Sequence, residues 1–221
     1  MIVTLDGPAG AGKSTTARAL AARLGWCYLD TGAMYRTVAL AALEEGLSLE
    51  DEPRLAALAE SLAIQFCQGR VLVGERDVSE AIRTERVTQA TRPVADAPAV
   101  REAMKHLQRR LADGLDVVTE GRDQGSEVFP LAELKVFLTA SPEERARRRH
   151  REELARGGTT SLEAVLDAQS RRDAGDRDRP VGAMRPADDA VVFETDGLSP
   201  AEVLERLVEL VEARRLSETS R

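Results

Sequence analysis

The sequence predicts an α/β fold built on a parallel sheet, and three observations carry that prediction. A short apolar run, Ile2-Val3-Thr4-Leu5, leads into a helix, a second strand and a second helix. Between the first strand and the first helix stands Gly7-x4-Gly12-Lys13-Ser14, a glycine-rich pattern suited to holding phosphate. After about residue 112 the strand and helix alternation returns.

The elements follow in order. The first strand, residues 2–5, is a short apolar run that ends at Asp6-Gly7-Pro8, as a buried strand should. Residues 15–24 repeat apolar side chains at helical spacing (Ala17, Leu20, Ala21, Leu24), and Gly25 stands where a C-cap belongs. Residues 26–29 read as the second strand and 33–43 as the second helix, ended near Gly46. The middle of the chain breaks this rhythm. Residues 55–62 look helical, and 63–66 and 70–73 flank Gln68-Gly69 as an antiparallel hairpin. Residues 84–96 and 99–111 read as helices, with Pro98 at the start of the second. The stretch 37–112 therefore reads as an insertion forming a small α+β lobe. Strands are expected again at 117–119, 134–138 and 190–193. Helices are expected at 142–154, 162–172 and 200–214, with Ser199 as an N-cap. The polar tail, 216–221, is expected to fray.

Composition bounds the function classes. The 221 residues suit one domain with small insertions. Aromatic residues make up 3% of a chain that is 43% hydrophobic, so the core must be Leu, Val and Ala packing. No stretch approaches the roughly 20 apolar residues of a membrane span, and no charged leader precedes the first strand. A cytoplasmic protein acting as a monomer, without a membrane partner, is expected. A net charge of -7 argues against nucleic acid, whose phosphates need a basic footprint. Cys27 and Cys67 lack metal or redox spacing and are expected to fill core. Of 31 basic residues only Lys13, Lys105 and Lys135 are lysines, so a scarce residue occupies the motif position.

Each residue type in the motif has a chemical reason. Gly7, Gly10 and Gly12 permit backbone angles closed to other residues, so loop N–H groups can turn inward. Those groups and the positive end of the next helix bind phosphate oxygens. Lys13 adds a mobile charge at the β- and γ-phosphates, and Ser14 offers a hydroxyl to magnesium. The pattern alone does not separate kinases from GTPases or ATPases. No NKxD guanine reader, long switch region or strand ending in Asp-Glu appears. A stretch dense in arginine and aspartate does, and it suits transfer of phosphate to an anionic acceptor. A kinase for another acceptor such as UMP, AMP or shikimate, and a non-catalytic nucleotide-binding regulator, remain the alternatives.

Five motifs in order carry a closer likeness: DGPAGAGKST at 6–15, LDTGAMYR at 29–36, DVSEAIRTERV at 77–87, EGRDQGSEVFP at 120–130 and RDAGDRDR at 172–179. Together, across roughly residues 2–214, they resemble the bacterial cytidylate kinases of the nucleoside monophosphate kinase family. The resemblance implies a P-loop kinase with a five-stranded parallel sheet core formed by 1–36 and 113–215. It further implies an arginine-rich lid at about 143–160 and an acceptor-binding insertion at 37–112. It implies phosphoryl transfer from ATP with Mg2+ to CMP or dCMP. Gly7, Pro8, Ala9, Gly10, Ala11, Gly12, Lys13, Ser14 and Thr15 would bind ATP, with Ser14 on the metal. Thr31 and Tyr35 would line the acceptor pocket and Arg36 would grip the CMP phosphate. Arg101 and Asp123 would read the cytosine edge, which offers an amine to a carboxylate and ring acceptors to a guanidinium. Arg172 and Asp176 would meet the ribose and Arg179 the acceptor phosphate. Arg122 would sit beside the transferred phosphate, with Arg148 and Arg149 closing over ATP.

Simpler roles stand beside these. Five arginines within 145–151 cannot all face one ligand from a helix, and pairing with Glu143, Glu144, Glu152 and Glu153 accounts for most of them. Arg122 and Asp123 can pair with each other, and Asp173 can serve as a salt-bridge partner. His106 and His150 are expected at the surface. The chain departs from the family pattern at Arg92 (beside Thr91), where a serine usually helps hold cytosine, and at Gly175, Ala183, Gln124 and Glu127.

Overall fold

The computed structural model describes residues 1–67, 69–155 and 157–219. Gln68 of the expected hairpin turn, the Cys67 side chain, Arg156 of the lid, and Ser220 and Arg221 of the tail lie outside the described residues. The chain divides into two compact units, residues 1–28 with 114–221 and residues 29–113.

The elements along the chain are β1 (Ile2–Asp6), α1 (Lys13–Leu24), β2 (Cys27–Asp30), α2 (Thr31–Glu44), α3 (Glu52–Ser61), β3 (Ile64–Cys67), β4 (Arg70–Val73) and β5 (Arg76–Asp77). They continue with α4 (Glu85–Asp96), α5 (Pro98–Ala112), β6 (Val117–Glu120), β7 (Leu134–Thr139), α6 (Pro142–Ala155), α7 (Leu162–Arg177), β8 (Val191–Glu194) and α8 (Pro200–Thr219). A π turn, Gln124–Val128, follows β6.

The expected five-stranded sheet forms in the order β2-β6-β1-β7-β8. β1 lies at its centre, parallel to β6 through Val3↔Val118 and to β7 through Leu5↔Val136. β7 is parallel to β8. Parallel strands need crossover helices on the faces, so both faces of β1 are covered, and its Ile2, Val3 and Leu5 are apolar while Thr4 and Asp6 are buried polar residues. Val3, Leu5, Leu20, Val118, Leu138, Leu207 and Val211 share one buried cluster, the Leu, Val and Ala core that the composition requires.

Several boundaries differ from the sequence reading, and capping explains most of them. α1 begins at Lys13 because Gly12 already takes the left-handed cap conformation. Gly25 ends it in the same conformation, its N–H reaching Ala21 and Ala22. α2 begins at Thr31 because the Asp30 carboxylate accepts the Ala33 N–H at 2.8 Å. α3 begins at Glu52 because Asp51 caps it and Pro53 suits its first turn. α7 does not end at Arg172 but runs to Arg177, since buried ion pairs hold Asp173 and Asp176 in helix. α8 runs to Thr219, so the tail expected to fray from 216 is helical as far as it is described. At its start Ser199 and Glu202 bond each other's backbone N–H groups, a reciprocal cap.

The second unit packs α3 on α5 and α2 on α4, beside the antiparallel sheet β3-β4-β5. The sequence reading found its hairpin but missed β5, two residues long. This unit begins at Leu29, earlier than the insertion expected at 37, because α2 packs with α3 and α4. Thr31, Tyr35 and Arg36 therefore belong to it. Cys27 is exposed and not core, because it opens β2 at the sheet edge. His106 is exposed and His150 partly so. Among the described residues no helix is long and apolar enough to cross a membrane.

Candidate active site

The phosphate loop joins the centre of the sheet to α1. Gly7 has φ 140°, and a Cβ there would lie 2.0 Å from the Leu138 carbonyl oxygen, so the strand β7 beside it admits no side chain. Gly10 and Gly12 also take left-handed angles. The loop's carbonyls are engaged by the protein. Pro8 O accepts Lys13 Nζ at 2.7 Å, and Ala9 O accepts Arg145 Nη1 at 2.9 Å. At the start of α1 no side chain caps the helix and no acidic residue stands in the first turn. Its partial positive end is thus left to the loop.

Two carboxylates lie beneath this loop, each at the C-terminal end of a strand. Asp6 ends β1 and accepts the N–H groups of Gln124 and Gly125 at 2.9 and 2.7 Å. Burial pushes its carboxyl up to about 7 despite those bonds, Asp123 adds to the rise and Lys13 opposes it. Glu120 ends β6 and accepts the Ser14 hydroxyl at 2.8 Å. Burial pushes the Lys13 ammonium down to about 7, Arg122 and Arg172 press the same way, and Glu120 and Asp6 resist. The Ser14 and Glu120 oxygens are hard donors of the kind magnesium takes, so they fit that ion. Among the described residues no cluster of three or more His, Cys, Asp or Glu could hold a metal, so phosphate and water would supply most of its ligands.

Beside the loop stands an arginine cluster. Arg122 Nε donates to Asp176 at 2.7 Å and Arg179 pairs with the other Asp176 oxygen at 2.9 Å. Arg122 therefore pairs with Asp176 and not with its neighbour Asp123. Burial would raise the Asp176 carboxyl, but the charges of Arg122, Arg179 and Arg172 hold it below its ordinary value. Arg172 keeps an exposed face, yet crowding by protein, then the charges of Arg122, Arg179 and Arg149, lower its pKa. Three arginines, Arg122, Arg172 and Arg179, thus share the Asp176 carboxylate, and Arg149 adds its charge on Arg172.

The arginines of α6 divide by their partners. Arg145, one of the five arginines within 145–151, is buried, reaches the phosphate loop at Ala9 and pairs with Asp173 at 2.6 Å. Asp173 is thereby a salt-bridge partner. Arg148 bonds Glu144 and both the hydroxyl and the carbonyl of Thr195. Arg149 pairs with Glu152 and Glu153 on its own helix, as the charge pattern suggested. Thr15 lies exposed in the first turn of α1.

In the second unit Arg101 is buried, donates to Ala95 O at 3.0 Å and lies 5.7 Å over the Tyr35 ring. Thr31 is buried at the first turn of α2. Arg36 folds back towards Asp30 at 3.6 Å, and Gly32 leaves room for its guanidinium. Of the departures from the family pattern, Thr91 spends its hydroxyl on Val87 O and Arg92 is exposed beside Asp96. Gln124 is buried and accepts the Thr119 hydroxyl, and Glu127 accepts the Gly182 N–H at 2.8 Å.

Sequence reasoning gave no role to Asp6, Glu120 or Arg145. Asp6 and Glu120 were within reach, since polar residues at the C-terminal ends of parallel strands mark such sites. Nothing in a run of arginines singles out Arg145.

A 51% identical relative from Rhodopirellula baltica, described as cytidylate kinase, covers 96% of this chain and 92% of its own length. A second, from Exiguobacterium sibiricum, is 51% identical over 95% of this chain and 96% of its own, with the same description. The solved shikimate kinase of Bacteroides thetaiotaomicron, 16% identical, covers 96% of this chain and 98% of its own with a TM-score of 0.50, a likeness of fold. A sequence profile described as cytidylate kinase matches residues 3–213, and the chain therefore belongs to the cytidylate kinase family.

Proposed function

We propose that this protein transfers the γ-phosphate of ATP to CMP or dCMP, giving ADP and CDP or dCDP, as a monomer in the cytoplasm. The observation that carries the reading is the crowding of positive charge beside the phosphate loop. Arg122 and Arg172 depress the Lys13 pKa, and Arg122, Arg149 and Arg179 depress that of Arg172. Cations so placed repel until an anion arrives between them, and donor and acceptor phosphates are such anions.

In this reading the backbone N–H groups of residues 7 and 9–15 cradle the ATP phosphates, and Lys13 leaves Pro8 O for the β- and γ-oxygens. Ser14, with Glu120 behind it, holds magnesium, which would neutralise phosphate charge when bound. Arg122 stands by the transferred group. Arg149 closes over ATP, and Arg148 joins it by releasing Thr195. In the first unit, Asp123 takes the cytosine amine, Arg172 and Asp176 the ribose, and Arg179 the acceptor phosphate. In the second unit, Thr31, Tyr35, Arg36 and Arg101 are assigned to CMP. The CMP phosphate oxygen is already anionic, so attack needs no strong base, and catalysis is positioning with charge neutralisation. The test is ADP release with ATP and magnesium and each of CMP, dCMP, UMP and AMP. Release that depends on CMP or dCMP supports the reading, and absence of any acceptor-dependent release refutes it.

A further inference from the structure

We propose that Arg145 and Asp173 are positioning residues for the donor phosphates, acting through the Ala9–Gly10 peptide. The inference rests on the kinase reading above. Arg145 Nη1 donates to Ala9 O at 2.9 Å. A peptide unit is planar, with its C=O and N–H pointing in opposite directions. Fixing the Ala9 carbonyl therefore fixes the direction of the Gly10 N–H, one of the donors of the phosphate loop. Lys13 does the same for the neighbouring peptide by holding Pro8 O. When Lys13 moves to the phosphates, Pro8 O keeps only a long bond from the Ala11 N–H at 3.4 Å, and Arg145 still holds Ala9 O.

The guanidinium is itself held on three sides. Nε donates to Ala140 O at 3.0 Å, and Nη1 reaches the Asp173 carboxylate at 2.6 Å. Both members of the pair are buried. Helices α6 and α7 also touch the loop directly. A Cβ on Gly10 would lie 3.2 Å from Arg145 Cβ and 3.5 Å from Gln169 Oε1. The contacts of Arg145 thus tie α6, α7 and the loop peptide into one buried polar cluster.

Asp173 follows Arg172 and lies one turn before Asp176 on α7, so a general disturbance of that helix would weaken acceptor binding too. This separates positioning of the donor loop from a merely structural role. Steady-state kinetics on Arg145→Lys, Asp173→Asn and the double variant test the proposal, with thermal melts confirming folded protein. Each single change is expected to raise KM for ATP about tenfold or more while KM for CMP stays within about threefold. The double variant is expected to be no worse than the worse single, because the two residues act as one unit. Equal rises in both KM values, an unchanged KM for ATP, or losses that multiply in the double variant would overturn it. If Asp173→Asn does not fold, Asp173→Glu is judged by the same criteria. Wild-type protein without acceptor-dependent turnover defeats the kinase reading, whereas normal turnover without the KM split defeats this inference alone.

Discussion

Binding of ATP should draw a proton from solvent, and Lys13 is the main reason. Burial and the charges of Arg122 and Arg172 push its ammonium down to about 7. Triphosphate oxygens beside it favour the charged form and restore the pKa to well above that value. At pH 8 a group with a pKa of 7 is only about one-tenth protonated, so binding takes up close to one proton at Lys13. Protonation then costs about 1.4 kcal/mol, which weakens ATP binding about tenfold for each pH unit above 7. Asp6, pushed up to about 7, adds uptake of the same sign as the anion arrives. The assay is calorimetry with magnesium and ATP at pH 8, in two buffers of very different ionisation enthalpy. Apparent enthalpies should differ by about 0.9 of the buffer difference or more. Lys13→Arg, which stays charged, should keep only the Asp6 share. Identical enthalpies in both buffers would show that no proton moves, and the account of Lys13 as a buried, half-neutral cation would be wrong.

Three further outcomes follow from the same geometry. Lys13→Met should lower turnover by about two orders of magnitude or more while stabilising the fold, because it removes a buried ammonium. The folded pKa is lowered, so the penalty is full below 7 and disappears as pH rises to the ordinary lysine value of 10.5. Denaturant titrations should show a gain on the order of 2 kcal/mol at pH 6, after the lost Pro8 bond is deducted, and none above about pH 10.5. A gain independent of pH would contradict this. Gly7→Ala should cost about 3 kcal/mol or more and abolish ATP binding, since its Cβ meets backbone at Leu138 and cannot swing away. A melting temperature within a degree of wild type would refute the packing account. Asp123→Ala should raise KM for CMP about tenfold and KM for ATP about twofold at most. Equal effects on both substrates would remove Asp123 from base reading.

The order of strands and helices was legible in the chain because each apolar run had one period and each end had its own punctuation. Gly25 stops α1 wherever that helix goes. Asp51, Glu52 and Pro53 start α3 by local bonds too, a start that the helix expected over 55–62 leaves out. The phosphate loop was legible for the same reason. Its backbone angles, its lysine and the helix behind it are set by residues within nine positions. Two-residue β5 was not legible, since its pairing with β4 is the only thing that makes it a strand.

What the sequence alone determined is what short-range physics determines: periodicity, caps, the glycine angles and a glycine-rich loop at residues 7–15 suited to phosphate. The tertiary structure decided which charges meet. Only folding brings Arg122 across 54 residues to Asp176, or Arg145 across 136 residues to Ala9. In a chain with arginine along most of its length, composition offers many equivalent partners. Burial selects among them, because a charge taken from water is tolerated only where a particular carboxylate or carbonyl waits for it.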